Sequence, residues 1–182
     1  MISTLKVVLT AAPLFFNGVT VDDVAGTFQE YSLTNIKKEF DLKIRDVEKV
    51  TEAIFFETRG TCDKDKYAVA EVILQRTALD NYPSDVSKVI NQYTWKNGQK
   101  VCQFSYMCEN NIKNKRKLIR EDYSEWRKSR RVAFNSIMFG PTDYTNGADH
   151  YYNPRKANPD WANPRKVTAT TCAHRYLKLH KS

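Results

Sequence analysis

A glutamate at the end of an apolar stretch is the residue of this chain best placed to do chemistry. In the segment Glu52-Ala53-Ile54-Phe55-Phe56-Glu57-Thr58-Arg59-Gly60, helical spacing of Val47, Val50, Ile54 and Thr58 predicts a helix that begins near Asp46. Gly60 can end that helix in a left-handed cap, which sets Glu57 in the last turn. Flanked by Phe55 and Phe56, its carboxyl loses part of its water shell, and desolvation raises a carboxyl pKa because it disfavours the charged form. A carboxylic acid still protonated near neutral pH is what a general acid needs to break a glycosidic bond. Most glutamates at helix ends are simply solvated, so this segment alone decides nothing.

A second chemical cluster lies in the C-terminal third, at 143–154 and again at Asn158-Pro159-Asp160-Trp161-Ala162. Asn146-Gly147 favours a turn with positive φ. The residues after it predict a strand with His150 and Tyr152 on one face, Asp149 and Tyr151 on the other. Tyrosine, tryptophan and asparagine together suit carbohydrate, since aromatic faces pack on sugar rings while amides bond hydroxyls. The same side chains would serve equally well as core.

Four cysteines, Cys62, Cys102, Cys108 and Cys172, allow three pairings, and spacing does not choose one. Paired Cys-x-x-Cys or Cys/His spacing is absent, and His150, His174 and His180 are scattered, so no metal and no cofactor is expected. A Cys–His nucleophile pair at Cys102 or Cys172 has no local motif to support it. Structural thiols or an accessory disulfide are the expectation.

These residues need elements to hold them. A second helix is predicted over 66–79, with Val69, Val72, Ile73 and Arg76 on one face and Ala68 and Ala70 permitting close approach. Asn81-Tyr82-Pro83 breaks it, and Ser84 is the expected cap of a third helix over 85–92. Trp95-Lys96-Asn97-Gly98 reads as a turn, with a short strand over 101–106. A strong helix is expected over 122–139, with Tyr123, Trp126, Ala133 and Ile137 facing the core and Gly140-Pro141 closing it. The rest, rich in Asn, Pro and Tyr, reads as loops with short strands.

At 182 residues, 41% hydrophobic and 12% aromatic, the chain suits one globular domain with a substantial core rather than a disordered segment. The net charge of +8 asks for an anionic partner. Lys113, Lys115, Arg116, Lys117 and Arg120, then Arg127, Lys128, Arg130 and Arg131, form a basic run that reads as a solvated helix face or a docking face for an anionic polymer. No aromatic sheet platform or recognition helix accompanies it, so nucleic acid is not expected. The apolar run at 7–16 is too short for a spanning helix and contains Pro13, so no stable membrane insertion is expected. Only Lys6 and the amino terminus supply the positive start of an export signal, and residues 1–42 read as an N-terminal extension or weak signal-like segment.

The order of the motifs is more specific than any one of them. Glu57 to Gly60 (E-x-R-G), Ala68 to Arg76 (A-V-A-E-V-I-L-x-R), Cys102 to Cys108 (C-Q-F-S-x-x-C), Thr145 to Pro154 (T-N-G-A-x-H-Y-Y-N-P) and His174 to Tyr176 (H-R-Y) together resemble the SleB-type cell wall hydrolases, the spore-cortex-lytic family. The resemblance spans roughly 47–177, and residues 43–182 are the expected catalytic domain. It implies an α+β fold, a mainly helical lysozyme-like single domain with short strands in the C-terminal third. It implies an enzyme, acting alone as a monomer at the bacterial cell wall, whose partner is the peptidoglycan glycan strand. Its activity would be that of a lytic transglycosylase acting between N-acetylmuramic acid and N-acetylglucosamine; a hydrolytic muramidase and a non-catalytic peptidoglycan- or polyanion-binding module are the alternatives.

By position, the resemblance puts the catalytic acid on Glu57 and substrate contacts on Phe104, Ser105, Tyr151, Tyr152 and Asn153. Many members carry a second acid just after the glycine, where this chain has Thr61, which implies that such an acid is not essential. The segment from Glu109 to Arg120 looks longer than the usual connection and receives no role by transfer. A build without wall-binding repeats resembles a phage endolysin more than a spore enzyme. A second catalytic carboxylate, if hydrolysis needed one, would come from Asp63, Asp65, Glu71 or Asp149.

Overall fold

A computed structural model describes residues 33–109 and 111–180, and only the backbone of 33–36. The apolar run at 7–16 lies outside the described residues. Helix α1 runs over Leu33–Thr58, well before Asp46 and without a break at 42–43. Its first half is built from good helix formers such as Lys, Glu, Leu and Arg, while Phe40 and Leu42 stay exposed. With no buried residue over 37–45, apolar periodicity could not reveal it. From Val47 onward the stripe forms, and Val47, Val50, Ala53 and Ile54 enter the core. Gly60 takes φ 77°, the left-handed conformation expected at the end of this helix.

Helix α2, Asp63–Thr77, is buried nearly all round. It begins earlier than Lys66 because Asp63 and Asp65 sit in its first turn, where acids favour the helix dipole. One side, Val69, Ala70 and Ile73, packs with α1 and with helix α3, Val86–Ile90. The other side, Ala68 and Val72, packs on Ala148, just ahead of the C-terminal sheet, and on Tyr176 within it. Asp85, not Ser84, caps α3, its carboxylate accepting from the Lys88 N–H at 2.8 Å.

A hairpin follows, β1 (Tyr93–Lys96) and β2 (Gln99–Cys102), paired from Tyr93↔Cys102 to Lys96↔Gln99. Asn97 and Gly98 both have positive φ, as a two-residue hairpin turn requires. The expected strand over 101–106 therefore ends at Cys102, and Ser105–Met107 forms a 3-10 turn. Helix α4, Ile112–Glu121, lies on the surface with no buried residue. Helix α5, Tyr123–Phe139, buries Ser129, Val132, Ala133 and Ser136; Tyr123, expected in the core, is exposed at its start. The chain closes in an antiparallel sheet, β3 (His150–Tyr152), β4 (Val167–Thr170) and β5 (Arg175–Leu177), in the order β3-β5-β4. The described residues from 37 onward form one compact unit. No described helix is long and apolar enough to cross a membrane.

Candidate active site

The end of α1 is fixed from three sides. Phe55 is fully buried and meets Trp126 edge-on at 5.5 Å. Phe56 stacks on Tyr106 of the 3-10 turn at 4.9 Å. Arg59 lies over the Phe55 ring and reaches Asp122 at 4.0 Å. Glu57 follows these anchors and is left half-buried, with no ion-pair partner within contact distance among the described residues. Burial raises its carboxyl pKa; a hydrogen bond from the Tyr151 hydroxyl and the fields of His174 and Lys156 pull the other way without cancelling it.

Strand β3 brings Tyr151 to this carboxyl, since its register places Tyr151 opposite the buried Tyr176 of β5. Tyr151 also meets His174 edge-on at 5.5 Å. His174 is nearly inaccessible, and its Nδ1 lies 3.3 Å from Asp65 Oδ1. Asp65 also accepts from the Thr171 hydroxyl and from the Ala173 N–H at 3.1 Å. Burial pushes the Asp65 carboxyl up, but the hydrogen bonds from His174, Thr171 and Thr61 outweigh it and hold it below the usual range. A disulfide between Cys62 and Cys172 ties the segment just past Gly60 to the turn that carries His174. A second, Cys102–Cys108, closes the loop bearing Tyr106. The buried Tyr106 hydroxyl has no hydrogen-bond partner among the described residues, and burial with the charges of Glu52 and Glu57 holds its pKa high.

The positions expected to contact substrate divide. Tyr151 stands at Glu57. Ser105 is exposed on the 3-10 turn beside Tyr106. Phe104 is a correction: it is fully buried in the helical core and cannot line an open groove. Tyr152 points to the other face of β3, where it packs on Trp161 at 5.8 Å and takes a long hydrogen bond from Arg175. The Asn153 side chain accepts from the Arg155 N–H at 3.0 Å, an Asx turn that shapes the loop carrying Lys156. Sequence reasoning misses His174, Lys156 and Tyr106 as site residues; only the His174-Arg175-Tyr176 motif signals one of them.

The four acids named as possible partners, Asp63, Asp65, Glu71 and Asp149, are all engaged. Glu71 accepts from the Thr142 hydroxyl and from the N–H groups of Tyr144 (2.9 Å) and Thr145 (2.8 Å). Asp63 faces Arg131 at 3.7 Å. Asp149 gathers the two histidines that look scattered in the sequence: its carboxylate lies 3.1 Å from His150 Nδ1 and 2.5 Å from His180 Nδ1. It also accepts from the N–H groups of Leu179 and His180. Donor atoms of this trio lie within 4.8 Å of one another, yet its carboxylate oxygens already receive these N–H groups. Cys62, Asp65 and Cys172 also cluster, but their sulfurs are joined to each other.

Comparison with known proteins adds a family. A family model described as Cell Wall Hydrolase matches residues 60–177, starting just past Glu57. No curated protein matches the chain. Among solved structures, the catalytic domain of the Bacillus cereus SleB protein is 22% identical, covering 73% of this chain and 89% of its own, with a TM-score of 0.51. The catalytic domain of the germination-specific lytic transglycosylase SleB from Bacillus anthracis is 21% identical, covering 82% and 98%, with a TM-score of 0.49. The first likeness shows the fold, a mainly helical lysozyme-like domain with a few short strands.

Proposed function

Because the chain belongs to the Cell Wall Hydrolase family, we propose that it cleaves the glycan strand of peptidoglycan between N-acetylmuramic acid and N-acetylglucosamine, with Glu57 as the one catalytic carboxyl. The observation that carries this reading is a half-buried carboxyl with a raised pKa at the end of a helix anchored by Phe55 and Phe56, without an ion-pair partner among the described residues. Protonated Glu57 gives its proton to the glycosidic oxygen as the bond breaks and positive charge develops on the muramic ring. The carboxylate then takes the proton of that sugar's C6 hydroxyl, whose oxygen closes a 1,6-anhydro ring. The glycosidic bond is replaced by an internal one, no water is consumed, and Glu57 ends as it began. Tyr151 holds the carboxyl in place and stabilises its ionised form between the two proton transfers.

Hydrolysis would instead need a partner acid at about 5–9.5 Å. Engagement of Glu71, Asp65 and Asp149 by buried donors, and of Asp63 by Arg131, favours the transglycosylase. Digestion of purified peptidoglycan followed by mass spectrometry of the released muropeptides tests this. Products ending in 1,6-anhydromuramic acid, lighter by one water, are expected. Reducing-end muramic acid would replace the transglycosylase with a muramidase, and no release would leave a wall-binding module.

A further inference from the structure

Helix α4 carries more charge than the fold uses. Lys115, Leu118 and Ile119 form its half-buried inner face, and its other residues are exposed. Lys117 pairs with Glu121 at 3.7 Å, but Lys113, Lys115, Arg116 and Arg120 have no carboxylate partner among the described residues. Lys115 differs from the others because it is turned inward. Its ammonium lies 5.1 Å from the centre of the Tyr106 ring, the ring that stacks on Phe56 next to Glu57. A second cation, Lys156, acts on Glu57 from the 153–157 turn.

A neutral sugar chain needs neither lysine, since hydroxyls and ring faces are met by amides and aromatics. Lys156 even works against the proposed chemistry, because a cation near a general acid favours its ionised form. A solvated face kept for solubility explains the outer cations of α4 but not one laid on the aromatic stack beside the acid. Cations there fit a substrate that brings its own carboxylates. In peptidoglycan these belong to the peptide stems carried on the muramic lactyl groups, and their arrival would also mask the field of Lys156 on Glu57.

We propose that Lys115, seated on the Tyr106–Phe56 stack, receives a stem-peptide carboxylate, so that the protein selects glycan strands bearing acidic stems over strands whose stem carboxylates are masked. This rests on the glycan-cleaving reading above. The test offers the protein two substrates, purified peptidoglycan and the same polymer with its stem carboxylates converted to neutral amides by carbodiimide coupling, and counts new chain ends by mass spectrometry. Strands with free stem carboxylates should be cut about tenfold faster than the masked ones, the value of one charge-assisted hydrogen bond. Lys115→Glu should bring that ratio near one, Lys115→Arg should keep it, and raised salt should shrink it. A merely structural Lys115 would lower both rates together and leave the ratio intact, which overturns the inference. Equal rates for the wild-type protein would also overturn it while leaving glycan cleavage standing. No product from either substrate would remove the cleavage reading and this inference with it.

Discussion

Glu57 and Tyr151 oppose each other in a way that kinetics can read. Glu57→Gln removes the proton donor but keeps the shape, and activity should fall by about 10²–10⁴-fold in a muropeptide-release assay. Stability should not fall with it. A carboxyl whose pKa is raised on folding contributes its stability fully below the unfolded value, near 4.5, and loses it as pH rises through the folded value. A neutral amide at this position escapes that loss, so the variant's melting temperature should match or exceed wild type at alkaline pH. Retained lysis by this variant would move the catalytic acid elsewhere. The same carboxyl sets the alkaline limb of the rate profile, because activity needs the protonated form. Burial raises Glu57, and the Tyr151 hydrogen bond lowers it. Tyr151→Phe should therefore shift the alkaline limb of kcat/KM to higher pH. A limb that stays put would deny Tyr151 its hold on the acid.

At the scale of elements, α2 is the hub, and its charged residues explain how a helix can be buried nearly all round. Buried charges are tolerated when paired or hydrogen-bonded. Lys66 meets Glu125 of α5 at 2.9 Å, and Asp65 holds the turn before β5. Glu71 holds the 142–145 loop, and Arg76 donates from Nε to the Asp149 carbonyl at 2.7 Å. Each charge thus fixes a different segment around the candidate site. Glu71→Ala should leave two inward N–H groups and a hydroxyl without an acceptor, and should cost about 2–3 kcal/mol in urea unfolding. A loss below about 0.5 kcal/mol would mean that the loop holds itself. This role was only partly legible. Glu71 in Ala68-Val69-Ala70-Glu71-Val72 reads as a polar position on a helix, and nothing local says that its acceptors serve a loop far along the chain.

Across the whole molecule, the two disulfides do unequal work. Cys62–Cys172 spans a sequence separation of 110, whereas Cys102–Cys108 spans 6. Constraint of the unfolded chain predicts a loss of about 5 kcal/mol when the first is replaced by a pair of serines, and about 2 kcal/mol for the second. Denaturant unfolding of the two paired-serine variants checks the order, and a reversal would show that folded-state effects dominate. The long bridge also joins the Glu57 end of α1 to the His174 turn, so its loss should depress cleavage as well as stability. Much of this protein is written locally. Phe55 and Phe56 beside Glu57, the glycine that ends α1, the Asn97-Gly98 and Asn146-Gly147 turns and the α2 periodicity depend on neighbours in sequence, and they could be read there. Phe104 could not, because Cys102-Gln103-Phe104-Ser105 is a polar-looking segment whose one apolar ring is drawn inward by the core it meets. Nor could the continuity of α1 ahead of Asp46, since residues 37–45 have no buried face to betray it. The pairing of cysteines, the Asp65–His174 contact, the gathering of His150 and His180 on Asp149 and the approach of Tyr151 to Glu57 all join residues distant in the chain. Those were decided only in the tertiary structure, because desolvation, hydrogen bonding and charge act through space and take no account of sequence separation.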